Sequence, residues 1–169
     1  MPCSVGRRPE NIDAVEGLAR QALAVAPGDG EAEGFLATAM LARGRRDEAL
    51  QRSETVLARS PHAARALEVA AIARAQKGDR AGARQAFETL LQAEPDGWAH
   101  FNNFGVFEME SGDPREAARL FHQAVSLNPR NVEGYRGLRE AARGLGDGAL
   151  LARAQAALRR LGVQDPETP

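Results

Sequence analysis

The sequence predicts an all-α protein, an α-solenoid of helix-turn-helix units with about nine helices. Three observations carry that prediction. Pro27, Pro61, Pro95 and Pro129 are evenly spaced, and Gly44, Gly78, Gly112 and Gly146 keep the same interval. Between these markers apolar residues recur at helical spacing. No segment alternates with the period of two that a half-buried strand requires. With 169 residues the chain could fill one ordinary domain, but a repeat array stacks units along a thin core and leaves more surface for partners.

Taken in order, residues 1–11 have no period and are expected to form a flexible tail. From Ile12 the spacing Ile12, Val15, Leu18, Ala19, Ala22, Leu23 follows one helical stripe. It stops before Pro27, because the residue ahead of a proline is pushed out of the helical region. The next pattern, about 31 to 43, carries Phe35, Leu36, Ala39 and Met40 and ends at Gly44, a residue suited to a left-handed cap. Asp47 to Arg59 then forms its partner, with Ala49, Leu50, Ser53, Val56 and Leu57 inward. The unit is helix, tight turn, helix, proline. It recurs at about 64 to 77 and 81 to 93. In the third unit Asp113 is placed to cap the second helix, Pro114 suits its first position, and Glu116 completes a capping-box pattern. A fourth unit begins at Val132 with Asn131 as its cap, and its second helix runs from about Gly148 to Leu161. These boundaries predict one domain over 12–161: a half repeat 12–29, repeats 30–63, 64–97 and 98–131, a degenerate capping repeat 132–161, and a flexible tail 162–169.

These residues resemble the tetratricopeptide repeat (TPR) family, whose unit of about 34 residues has preferred small and large positions. With Gly30, Ala64, Trp98 and Val132 as first positions, the eighth are Ala37, Ala71, Gly105 and Arg139, and the twentieth are Ala49, Ala83, Ala117 and Leu151. Small residues belong there because the two helices of a unit cross most closely at those points. Leu36, Ala70, Phe104 and Leu138 hold the seventh position, and Ser53, Phe87 and Phe121 the twenty-fourth. The match covers 12 to about 161, is sharpest in the third unit and weakens in the fourth. The resemblance implies a right-handed superhelix whose first helices line a concave groove, with a non-catalytic function of binding a peptide or protein segment there. It carries the groove positions onto Thr38, Leu41, Arg65, Glu68, Ile72, Asn102, Asn103, Val106, Met109, Arg136 and Arg143. Leu41, Ile72, Val106 and Met109 would make an apolar floor, and Asn102 and Asn103 would offer amides that match a peptide backbone. The carboxylate clamp of chaperone-binding members falls on Gly34, Thr38, Val69, Ala99 and Asn103. Only Asn103 fits, so chaperone C-terminal tails are not expected as ligands. An alternative is that the chain is the substrate-recruiting or regulatory part of a larger enzyme or secretion assembly.

The front of the array departs from the family, because the first helix of the leading unit is missing. Val15, Ala19 and Ala22 then present an apolar face that could be wrapped by the tail, be left over from truncation, or serve self-association, a homo-oligomer through the helix Ile12–Ala22. The net charge of −1 argues against a general nucleic-acid footprint, and no window reaches the length of a membrane span. The lone Cys3 cannot form an internal disulfide. With no apolar run of signal-peptide length at the start, a cytoplasmic protein is the expectation. His62, His100 and His122 lack a metal-ligand spacing, and Cys3 has no neighbouring base. Neither catalysis nor a metal or cofactor is expected.

Overall fold

The computed structural model describes residues 9–163, with side chains from Ile12 onward; the expected tails at 1–8 and 164–169 lie outside the described residues. Nine α-helices and no strand occur among the described residues. They are α1 (Pro9–Val25), α2 (Gly30–Ala42), α3 (Arg46–Arg59), α4 (Ala64–Gln76), α5 (Arg80–Ala93), α6 (Trp98–Ser111), α7 (Pro114–Leu127), α8 (Val132–Leu145) and α9 (Gly148–Arg160). The fold class is all-α, a tandem array of helical hairpins. One boundary needs correction. α1 begins at Pro9, inside the segment 1–11 expected as tail, because a proline is tolerated in the first turn of a helix, where its missing N–H has no intrahelical acceptor.

The turns explain the glycine interval. Gly44, Gly78, Gly112 and Gly146 have φ of +77°, +83°, +85° and +67°, the left-handed region that a side chain strains. The following residue then donates its N–H back across the turn, Arg45 to Met40, Asp79 to Arg74, Asp113 to Glu108 and Asp147 to Ala142, at 2.9–3.0 Å. Each bond satisfies a carbonyl that the ended helix would leave bare. Asp79, Asp113 and Asp147 go on to cap the next helix, accepting from the N–H of Gly82, Glu116 and Leu150 at 2.9 Å. The capping box read at Asp113 is therefore half formed. The Asp113 N–H already has the Glu108 carbonyl, and the Glu116 carboxylate turns to Arg119, 2.5 Å away.

The chain falls into two compact units, Met1–Pro95 and Asp96–Pro169. In the first, α2 packs on α1, α3 and α4, and α4 on α3 and α5. Ala19, Leu36, Ala37, Met40, Ala49 and Val69 form a core cluster. The alanines at the close crossings, Ala37 and Ala49 in one repeat and Ala71 and Ala83 in the next, are fully buried. α1 is also tied by charge: Arg43, just past α2, pairs with both Asp13 and Glu16, and Glu16 takes Arg20 at 2.5 Å.

In the second unit α6, α7, α8 and α9 pack successively, and α8 also meets α6. Ala117, Phe121, Val125, Leu138 and Ala154 form its core. The fully buried ring of Phe121, whose burial stabilises by about 1.5–3 kcal/mol, sits where a Cβ on Gly105 or on Gly137 would collide with it, at 2.8 and 2.5 Å.

Candidate partner-binding faces

Each unit carries part of the predicted site. In the first, Thr38, Leu41, Arg65, Glu68 and Ile72 lie on α2 and α4 and are all half-buried. Thr38 Oγ1 donates to the Gly34 carbonyl at 2.9 Å, which fixes its rotamer. Leu41 packs against the core cluster, so part of the expected apolar floor is also structural. Arg65 lies with its guanidinium 3.9 Å over the Phe35 ring, a cation–π contact made possible by Gly34. A Cβ at Gly34 would come within 3.1 Å of the Arg65 stem. Thr38 and Arg65 are brought together in a cleft of about 220 Å³ with Ile12, Val15, Phe35, Ala39 and Ala42; Leu41, Glu68 and Ile72 do not line it.

In the second unit, Asn102, Asn103, Val106 and Met109 follow one another along α6 and are half-buried, while Arg136 and Arg143 are exposed on α8. Val106 and Met109 pack onto the core around Phe121. Asn102 has structural work: its Oδ1 accepts from Asn131 Nδ2 at 3.4 Å, and the buried Asn131 in turn caps α8 by accepting from the Gly134 N–H at 3.0 Å. Arg136 pairs with Glu133 at 2.7 Å and Arg143 with Glu140 at 3.1 Å, each one turn along its own helix.

Two contributors are invisible to sequence reasoning. The apolar pattern places Phe35 in a helix core, and it does pack against the core cluster, but it also forms the stacking surface for Arg65. Local spacing makes Asn131 a cap, whereas its amide also reaches α6. Both roles depend on a neighbour nearly a full repeat away, and neither shows in local spacing. Elsewhere the charge pattern is one of surface ion pairs. A hydrogen bond from Lys77 holds the Asp47 carboxyl below its usual value, and one from Arg45 does the same for Glu48. Among the described residues there is no group of three or more His, Cys, Asp or Glu side chains that could hold a metal ion, and no helix long and apolar enough to cross a membrane.

Tandem helical hairpins of near-equal length, each turning on a left-handed glycine and, in the first three, crossing at small residues, define a class of repeat protein. The tetratricopeptide repeat family model matches residues 40–103 of this array, and the hairpins outside that stretch are similar to it in form. Solved structures agree on the fold. A thermophilic TPR protein of Thermus thermophilus, TTC0263, superposes with a TM-score of 0.76 at 24% identity, covering 92% of this chain and 84% of that one. A crystal structure of MamA gives 0.75 at 14% identity, covering 90% of each chain. MamA from Desulfovibrio magneticus, from residue 41 onward, gives 0.72 at 14% identity over 89% of this chain and 94% of that one. No curated protein matches the chain in sequence.

Proposed function

We propose that this chain is a non-catalytic interaction scaffold that holds a peptide or protein segment on the faces of its first helices. The observation that carries the reading is the run of half-buried apolar side chains on those helices, Leu41 and Ile72 in the first unit and Val106 and Met109 in the second. Each leaves some apolar surface in water that a ligand would cover, and such surface marks contact sites. Polar groups flank it, among them Arg65, Glu68 and Asn103, and these would set orientation. The exposed Arg136 and Arg143 already have carboxylate partners, so their part is at the rim, where charge steers encounter more than it holds.

Affinity capture tests the reading. Wild type is compared with an Ile72→Ser, Val106→Ser variant, with circular dichroism melts showing that both are folded. Loss of captured proteins from the folded variant supports the scaffold reading. Equal recovery of the same proteins by both chains rules out these faces as the site.

A further inference from the structure

The repeat interval allows one part of the first unit to be laid against another. α2 rests on α3 and α4, and the side chains at that contact are buried: Ala49, Val56 and Val69 are at most 2% exposed. One repeat earlier stand Val15, Ala22 and Phe35 on α1 and α2, and these are only half-buried. Leu18, the counterpart of Arg52, is 67% exposed. The surface that α2 would cover one repeat back is instead a trough. It consists of two clefts, of about 330 and 220 Å³, that share Val15 and Phe35 as walls.

We propose that this trough seats an amphipathic helix of a partner protein, in the place that the 13-residue α2 takes against α3 and α4. The inward side of the occupant follows from the residues α2 uses at the equivalent contact, Leu36, Ala37 and Met40. They spell large, small, any, any, large, with the small residue where the helix axes approach most closely. Arg65 adds a charge requirement. Its guanidinium is stacked on Phe35 at the wall of the trough, its Nε is buried without a hydrogen-bond partner, and among the described residues no carboxylate pairs with it. A buried donor left unmade is costly, so the occupant also carries an aspartate or glutamate that reaches Arg65.

The inference reaches beyond the faces proposed above. Leu18 belongs to none of them, so the two ideas fail separately. The probe is a synthetic peptide with the α2 sequence GEAEGFLATAMLA, blocked at both ends and titrated into the ¹⁵N-labelled full chain. Saturable amide shifts are expected around Val15, Leu18 and Phe35. The affinity should be weak, because a free helix of this length is marginal in water. Leu18→Glu, at a site too exposed to endanger folding, should weaken binding by roughly tenfold. A peptide carrying Met40→Glu should show the same loss on an unaltered protein, and Arg65→Gln should flatten the salt dependence. Absence of saturable shifts, shifts centred outside α1 and α2, or indifference to both glutamate substitutions would overturn the proposal. So would a concentration-dependent dimer, seen in ultracentrifugation and abolished by Leu18→Glu, since the trough would then belong to a second copy of this chain.

Discussion

Phe121 shows how much one side chain can demand of its neighbours. Its ring is fully buried against two helical glycines, Gly105 on α6 and Gly137 on α8. The first could be anticipated, because Gly105 occupies a position reserved for small residues by the repeat. Gly137 could not, since it falls at an ordinary position of the closing repeat and its smallness answers a ring on the preceding helix. Replacing Gly137 by alanine gains about 1 kcal/mol of helix propensity. It also drives a Cβ to 2.5–2.6 Å from three ring atoms, and overpacking of this kind costs about 1–3 kcal/mol. The packing term should win. Gly137→Ala is expected to lower stability by up to about 2 kcal/mol in urea unfolding, and the loss should shrink in a Phe121→Leu background. A Gly137→Ala protein as stable as wild type would show that the ring has room to move. Asn102 adds that a side chain attractive in sequence as a peptide contact also serves the fold, its amide oxygen accepting from Asn131.

Among the helices, α1 packs on a single neighbour, α2. Its apolar stripe and its stop before Pro27 were legible, but not what holds it down at the charged end. Arg43 pairs there with Asp13 and Glu16, and the Glu16 side chain is only 6% exposed. Such a pairing spans 27 or 30 residues and follows no repeat position, so periodicity could not reveal it. Arg43→Ala leaves the buried Glu16 with Arg20 alone among the described residues, and loss of one partner of a buried charge is destabilising by about 1–3 kcal/mol. The expected readout is local: hydrogen-exchange protection should fall in α1 while α4 and α5 keep theirs. Uniform loss across the whole first unit would mean that α1 and its neighbours open together. The capping box at Asp113 makes a related point, since the half that failed did so because the preceding turn had already satisfied the Asp113 N–H.

For the molecule as a whole, the division at Pro95 has a consequence for folding. The core around Phe121 draws only on residues of the second unit, from Val106 on α6 to Ala154 on α9. In repeat arrays stability is a sum over units and their nearest contacts. Residues 96–163 expressed alone should therefore give a helical circular dichroism spectrum and a cooperative, though lower, melting transition. A random-coil spectrum would show that this core needs the first unit to form. The repeat length, the helix boundaries to within a few positions and the small crossing positions were all determined by the sequence itself, because each rests on local chemistry: proline ends a helix, glycine alone takes the left-handed turn without strain, and alanine permits close approach. What only the tertiary structure decided is which polar groups are already committed and which apolar ones remain uncovered. The Asn102 amide oxygen is engaged and the Arg65 Nε is not, Leu41 leans on the core while Leu18 stands in water, because satisfaction and burial depend on neighbours that lie near in space and far apart along the chain.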